Sequence, residues 1–236
     1  MLRGQTWNAD PRTSMIDKGT AILYGCANWD TGTLCVTVAV RAFMKGGVKV
    51  RTQWNVTKLI AAGSLGVLML VLNLLGVGIP AVTGIPMSSV INGLVGPALV
   101  MISLFVIDQF GALTIVEFVY SIMALPFPLT GTPGFLPKVP IAIVGGLIGD
   151  ALYVLLRGNK RIASIVIGGV NILYFTVAVT EVGRRLGIPG IERTAELLYS
   201  PLVIVAVLIG AIGGYLGWLV YSRIKDTAVV VRIQGE

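Results

Sequence analysis

Polar and ionisable side chains occur within stretches of this sequence that are otherwise apolar. Glu117 lies in one such stretch, and Tyr120 follows it at a spacing of three, which places both on one face of a helix. Asn171 and Tyr174 repeat that spacing in a later stretch. These residue types suit a small-molecule site in which a carboxylate binds a cation or an amine, amides bind polar ring edges, and tyrosines stack.

Two further asparagines, Asn73 and Asn92, lie toward the outer ends of the first two apolar stretches. We expect most of these polar groups in the outer half of a helical bundle, where they would face one pocket. An ionisable group at this depth is costly to bury and usually has a function. The alternative interpretation is structural, because polar side chains also form hydrogen bonds between helices in a membrane.

Several other kinds of chemistry are excluded by what the chain lacks. It contains no histidine, which excludes Ser-His and Cys-His catalysis and histidine-ligated metals. Cys26 and Cys35 have no second pair beside them, so we predict no zinc or redox site. Without a GxxxxGK[ST] phosphate loop, the chain does not hydrolyse ATP by itself. We therefore expect no enzyme, no metal and no cofactor.

One enzymatic alternative rests on two aspartates. Asp108 and Asp150 would form the dyad of an intramembrane aspartyl protease, and the segment GLIGD resembles the GxGD motif of those enzymes. However, Leu147 occupies the place of the first glycine, and Asp108 lies at the end of an apolar stretch. We therefore expect Asp150 to have a structural or coupling role.

The stretches that carry these residues have the length of membrane-spanning helices. The chain is 55% hydrophobic and 12% charged, whereas soluble domains contain about 25% charged residues. About 20 apolar residues cross a hydrocarbon core of roughly 30 Å. We predict an all-α membrane protein with a bundle of six transmembrane helices, at about 58–76, 89–107, 112–129, 139–156, 162–182 and 198–221.

Basic residues set the orientation of this bundle. Groups of Lys and Arg precede the first span, fill the loop after the fourth and follow the sixth, so six spans place all three groups on one side. The positive-inside rule makes that side cytosolic, and the net charge of +7 therefore reflects topology and not nucleic-acid binding. We predict a multi-pass protein of the cell membrane with both termini in the cytosol.

The chain divides into three parts on this interpretation. Residues 1–50 form a cytosolic extension, residues 51–225 the transmembrane substrate-binding domain, and residues 226–236 a cytosolic tail. Alternation of apolar residues over 34–40 predicts a short strand in the extension, with disorder as the alternative. The tail over 228–233 is similarly rich in β-branched residues and is a candidate partner for that strand.

An uncharged segment, GVGIPAVTGIPMSS, follows the first helix, which we predict over 59–75. Proline and glycine define its turns, and its apolar residues suit a lid over a pocket. The lid residues that we select are Pro80, Thr83, Gly84 and Pro86. On the helix before the lid, Ala62 and Gly66 form a small-xxx-small pair, which lets another helix approach closely in lipid.

The chain resembles one known family in several features. These are the six spans, their basic cytosolic ends, the Ala62 and Gly66 pair, the lid segment and the outer polar groups. They are similar to the substrate-binding S component of energy-coupling factor (ECF) transporters over residues 50–225. The AxxxA pair of that family is represented here by Ala62 and Gly66. The segments GALTIVEFVYSIMA and GGLIGDALYVLLRGNKR resemble the branch associated with thiamine or its hydroxymethylpyrimidine precursor.

The resemblance implies a function and a set of partners. Such a protein captures a vitamin or related micronutrient from outside, and the lid closes over it. Its partners are a transmembrane coupling protein, docked at Ala62 and Gly66, and two cytosolic ATPase subunits of the ABC type. The ligand contacts would be Glu117, Tyr120, Asn171, Tyr174 and Asn92, with Asn73 beside them. An ion-coupled secondary transporter, with Glu117 as a proton site, or a structural membrane subunit is the alternative.

Overall fold

A computed structural model describes residues 27–28, 33–34, 54–83, 88–129, 132–188, 195–196 and 198–235. These residues are almost entirely helical, as predicted. Two short strands, β1 (Ala27–Asn28) and β2 (Thr33–Leu34), pair antiparallel. The helices with defined bounds are α1 (Val56–Thr83), α2 (Ser88–Ile107), α3 (Ala112–Met123), α4 (Lys138–Leu155), α5 (Lys160–Arg185), α6 (Leu202–Ile224) and α7 (Ala228–Gly235).

Four of these helices are long and apolar enough to cross a membrane. They are α1 over Val56–Val77, together with the full lengths of α4, α5 and α6. Shorter apolar helices occupy Ile91–Ile107 in α2 and Ala112–Met123 in α3. Large apolar side chains cover the outside of the bundle, and Ile60 and Ile204 are more than 60% exposed. Side chains of this kind suit contact with lipid, so the described helices fit a multi-pass membrane protein.

The long helices pack around α2. That helix contacts α1, α3, α5 and α6, while α4 packs between α3 and α5 on the side away from it. Glycines allow α5 and α6 to touch at the backbone, because a Cβ atom at Gly168 would fall 3.0 Å from the Cα of Gly214. In lipid, where apolar surface gains little by burial, such close backbone packing is a main source of helix association.

The first helix is longer than its sequence predicts. α1 continues to Thr83 instead of ending at residue 75, so Pro80 and Thr83 of the predicted lid are helical. Gly84 and Pro86 lie outside the described residues. Glycine is normally unfavourable in a helix, but Gly76 lies directly against the Asn92 side-chain oxygen of α2. Packing against α2 therefore extends α1 through a segment whose composition predicts a loop.

Two other elements differ from expectation. α3 ends at Met123 and not near residue 129, because Pro126 and Pro128 cannot continue the hydrogen-bonded helix. Residues 228–233 form part of α7 and not a strand; Val230 is buried against the bundle, and Gln234 Nε2 donates to the Phe105 carbonyl at 2.8 Å. Apart from β1 and β2, the predicted extension 1–50 and its strand lie outside the described residues.

Candidate ligand-binding site

A partly open cavity of about 470 Å³ lies among helices α1, α2, α3, α5 and α6. Ligand pockets in proteins measure about 300–1,000 Å³, so this volume suits a small organic molecule. Five of the six substrate-binding side chains predicted from the sequence line this cavity: Asn73, Asn92, Glu117, Tyr120 and Asn171. Residues separated by up to 98 positions in the chain thus meet at one site.

The rest of the wall is mainly apolar. Met69, Phe175, Val179 and Ile209 are among the side chains that provide it. Among the described residues that line the cavity, none is a lysine or an arginine, and Glu117 carries the acidic group. The site therefore has the usual composition of a ligand pocket, with apolar walls and a small number of polar groups that can fix orientation.

The Glu117 side chain is fully buried, and neither of its carboxylate oxygens has a hydrogen-bond partner. The Asn171 side chain is close enough to interact with this carboxylate, but its amide nitrogen Nδ2 also lacks a hydrogen-bond partner. A buried polar group without a partner costs about 1–3 kcal/mol. Such groups around one cavity are a physical reason to expect a polar ligand there.

Two other cavity groups share this property. They are the side-chain oxygens Oδ1 of Asn92 and Oγ1 of Thr180, both buried and without a partner. Sequence reasoning missed Thr180, because a threonine in a membrane helix usually bonds to the carbonyl one turn earlier. Thr176 does so, donating to the Ile172 carbonyl at 2.7 Å. The available signal was the spacing of four between the two threonines, which places them on one helix face.

Asn73 and Tyr174 are held by other contacts. Asn73 lines the cavity, but its Nδ2 already donates to the Met69 carbonyl at 2.8 Å. Tyr174 does not line the cavity. Its hydroxyl donates to the Ile141 carbonyl of α4 at 3.0 Å, and its ring packs edge-on against Phe175. Tyr174 therefore joins α5 to α4, which is the interhelical role that sequence analysis left open.

The small pair on α1 faces the interior of the bundle. Ala62 is fully buried, and a Cβ atom at Gly66 would come within 2.9 Å of the Val116 carbonyl and 3.0 Å of the Val119 Cβ. The structure thus replaces the predicted external docking face with an internal contact between α1 and α3. The physical reason is that small residues permit close approach by any helix, and α3 of the same chain occupies the place.

The two aspartates of the protease hypothesis have separate partners. Asp108 accepts a hydrogen bond from the Tyr153 hydroxyl at 2.8 Å and forms an ion pair with Arg157 at 3.0 Å. Asp150 accepts hydrogen bonds from the backbone nitrogens of Leu113 and Thr114, both at 3.1 Å. This arrangement gives no support to a dyad in which two carboxyl groups share one proton.

Basic and aromatic residues gather at the end of the bundle near Asp108. The Lys160 ammonium lies 5.1 Å from the centre of the Tyr221 ring, and the Arg161 guanidinium lies 5.3 Å from that of Tyr215. Cation–π contacts of this kind let charged groups rest on apolar rings. Except for Met69 at the middle of α1, the cavity residues of α1 and α2 lie in the halves of those helices farthest from this end.

Together these features describe an almost entirely helical protein that fits a multi-pass membrane location and has a pocket of small-molecule size. No group of three or more His, Cys, Asp or Glu residues within the described ranges is arranged to hold a metal ion. Comparison with protein-family models, with characterised proteins and with solved structures finds no match to this chain.

Proposed function

We propose that this protein captures a vitamin-like small molecule within the membrane, as the substrate-binding S component of an ECF-type ABC transporter. The observation that carries the proposal is the cavity, where buried polar groups without partners meet on an otherwise apolar wall. Binding a ligand that completes their hydrogen bonds would remove the cost of leaving them unpaired. The transport partners are inferred from the sequence resemblance. They are a transmembrane coupling protein and two cytosolic ATPase subunits.

In this proposal α1 to α6 are six transmembrane helices, with the shorter α2 and α3 as complete spans. The end that carries Arg157, Lys160 and Arg161 is cytosolic, together with both termini, because basic residues favour that side of a cell membrane. The cavity then lies in the outer half of the bundle. That position suits capture of a ligand from outside the cell.

The cavity also restricts the ligand. Glu117 and Asn92 present acceptor oxygens without partners, and none of the described lining residues supplies a positive charge. A neutral or cationic ligand with hydrogen-bond donors is therefore favoured over an anion. The aminopyrimidine ring of thiamine and of its hydroxymethylpyrimidine precursor fits these requirements. Thiamine-related compounds are accordingly our first candidates.

A second function has one specific observation in its favour. A buried carboxylate without a partner, as at Glu117, is also what a proton-coupled secondary transporter would use. A structural membrane subunit has no need of such a group. In either form of the transport proposal, the coupling partner would bind elsewhere than Ala62 and Gly66, because Ala62 is fully buried and Gly66 is packed against α3.

Native mass spectrometry of the detergent-purified protein tests the proposal. We expect a co-purified adduct or, after incubation with thiamine, hydroxymethylpyrimidine, riboflavin and biotin, a bound complex with a compound that carries donors. A ligand at 100 times its Kd should also stabilise the fold by about 2.7 kcal/mol in thermal unfolding. A protein that stays empty with every compound would contradict capture, and ion-gradient-driven uptake by this chain alone would support the secondary transporter.

A further inference from the structure

Two buried charged side chains of α4 hold the two ends of α3. At the start of α3, Asp150 accepts hydrogen bonds from the Leu113 and Thr114 nitrogens, and from the Thr114 hydroxyl at 2.6 Å. At its far end, Lys138 donates from Nζ to the carbonyl of Ala124, the C-cap of α3, at 3.4 Å, and to that of Phe127 at 2.9 Å in the turn that follows α3. Asp150 is 1% exposed and Lys138 3% exposed, so both contacts are removed from solvent.

The signs of these charges match the ends of the helix. A helix carries partial positive charge at its N-terminus, where N–H groups lack partners, and partial negative charge at its C-terminus. The N-cap residue of α3 is Gly111, which has no side chain to satisfy those N–H groups. Asp150 supplies the missing acceptor from a neighbouring helix, and Lys138 supplies the donor at the other end.

The spacing along α4 matches the length of α3. Lys138 and Asp150 are 12 positions apart, which corresponds to about 18 Å along a helix. α3 itself contains 12 residues and is therefore about 18 Å long. The two helices also touch closely, since a Cβ atom at Gly146 would fall 2.5 Å from the Cα of Thr114. α4 thus restricts movement of α3 along its own axis.

This restriction reaches the cavity through α3, which lies between α4 and the two cavity residues that α3 contributes. Glu117 and Tyr120 of α3 line the cavity, whereas the lining residues include none from α4. The Glu117 carboxylate makes no hydrogen bond of good geometry, although the Asn171 side chain of α5 lies close to it. Its location therefore depends on where the α3 backbone lies.

We propose that Asp150 and Lys138 are positioning residues of the ligand site, which fix the axial position of α3 and thereby place Glu117. This inference rests on the proposed ligand-binding function. A displaced Glu117 would weaken or lose its hydrogen bond to the ligand, and loss of a hydrogen bond to a buried polar group costs about tenfold or more in affinity. Substitution of either residue should thus weaken binding although neither touches the cavity.

The test compares Asp150→Asn, Lys138→Met and Thr114→Val with Asp108→Asn as a matched control. Asp108 is also a carboxylate bonded to α4, through Tyr153, and it pairs with Arg157, but it precedes α3 and neither of these partners belongs to α3. Thr114→Val removes only the hydroxyl donor and keeps the shape, so it reports on the contact if Asp150→Asn does not fold. Thermal unfolding in detergent first establishes that each variant is folded.

Two readouts separate positioning from simple stabilisation. The first is thiamine affinity by calorimetry, measured well below the unfolding temperature. The second needs no ligand: the rate at which a hydrophobic carbodiimide modifies Glu117, followed by peptide mass spectrometry. We expect thiamine affinity to fall about tenfold to a hundredfold in Asp150→Asn, Lys138→Met and Thr114→Val, and Glu117 to react at least about threefold faster, with Asp108→Asn near wild type in both.

Unchanged affinity and unchanged carbodiimide reactivity in folded variants would overturn the inference, since Asp150 and Lys138 would then only stabilise the fold. If the wild-type protein binds no thiamine, that result counts against the proposed ligand, and the carbodiimide rates alone decide the positioning role. Faster modification supports the inference in that case, and equal rates reject it.

Discussion

Glu117 on α3 and Asn171 on α5 line the same cavity, and neither the carboxylate oxygens of the first nor the amide nitrogen of the second has a hydrogen-bond partner. One therefore offers acceptors and the other a donor. A ligand edge that carries both a donor and an acceptor, as an aminopyrimidine does, would complement the two groups. Because these two buried groups lack partners, they destabilise the ligand-free protein. A ligand that bonds to both should therefore stabilise the protein.

Glu117→Gln should weaken thiamine binding about tenfold or more, which corresponds to about 1.4 kcal/mol. Glutamine keeps the shape but replaces one of the two acceptor oxygens with an NH₂ donor, which does not complement a donor-rich ligand. The unfolding temperature of the empty protein should not fall, because a buried carboxylate without a partner is costly to the fold. Calorimetry and thermal unfolding in detergent measure the two effects.

Glu181→Gln provides the control for that variant. Glu181 lies on α5 and pairs with Arg184 and Arg185, and it does not line the cavity. Its substitution should leave thiamine affinity unchanged. Equal affinity of Glu117→Gln and wild type would remove Glu117 from the site.

Asn171 and Tyr174 should respond differently to substitution, although the sequence grouped them. Asn171→Leu should weaken ligand binding, because it removes the amide that faces the cavity. Tyr174→Phe should leave binding unchanged and lower the free energy of unfolding by about 0.5–1.5 kcal/mol, through loss of the hydroxyl bond to Ile141. If Tyr174→Phe bound the ligand more weakly but had the same free energy of unfolding as wild type, Tyr174 would be a ligand contact, as the sequence predicts.

The sequence predicts the long apolar helices and most of the polar side chains that line the cavity, for one physical reason. A polar side chain in an apolar helix turns inward, so Asn73, Asn92, Glu117 and Asn171 converge once the helices pack. Helical periodicity does not determine which inward direction a residue takes. Tyr174 thus faces α4 while Asn171, three residues before it, faces the cavity.

Other features depend on contacts that no local pattern contains. The small pair Ala62 and Gly66 allows a close approach but does not specify which helix approaches, and the partner proves to be α3. α1 runs through Gly76 because Asn92 packs there, against the local preference for a loop. The α7 segment is rich in β-branched residues, but packing of Val230 on the bundle makes it helical.

Two glycines of α1 give a matched test of the α1–α3 contact. Gly66→Ala should destabilise the protein by about 1–3 kcal/mol, because its new methyl group would meet the Val116 carbonyl, a backbone atom that cannot easily move. Gly63→Ala should be neutral or stabilising by up to about 1 kcal/mol, since a Cβ atom there meets nothing within 4 Å. Thermal unfolding of both variants measures the difference.

The Gly66→Ala variant also distinguishes an internal contact of Gly66 from an external docking face. Because Val116 precedes Glu117, Gly66→Ala should also weaken thiamine binding. The docking interpretation makes the opposite prediction, namely that binding is preserved and only assembly with a coupling protein is lost. A stable Gly66→Ala protein with normal affinity would therefore restore that interpretation.

The proposed orientation predicts which ends of α4 are accessible from outside the cell. Leu136 precedes α4 and is 69% exposed, and Gly158 follows α4, where an added side chain meets nothing within 4 Å. In a background with Cys26→Ser and Cys35→Ser, a membrane-impermeant maleimide should label the Leu136→Cys variant in intact cells. It should label the Gly158→Cys variant only after permeabilisation, because the basic end is expected in the cytosol. The reverse pattern would invert the orientation, and labelling of both variants in intact cells would show that α4 does not cross the membrane.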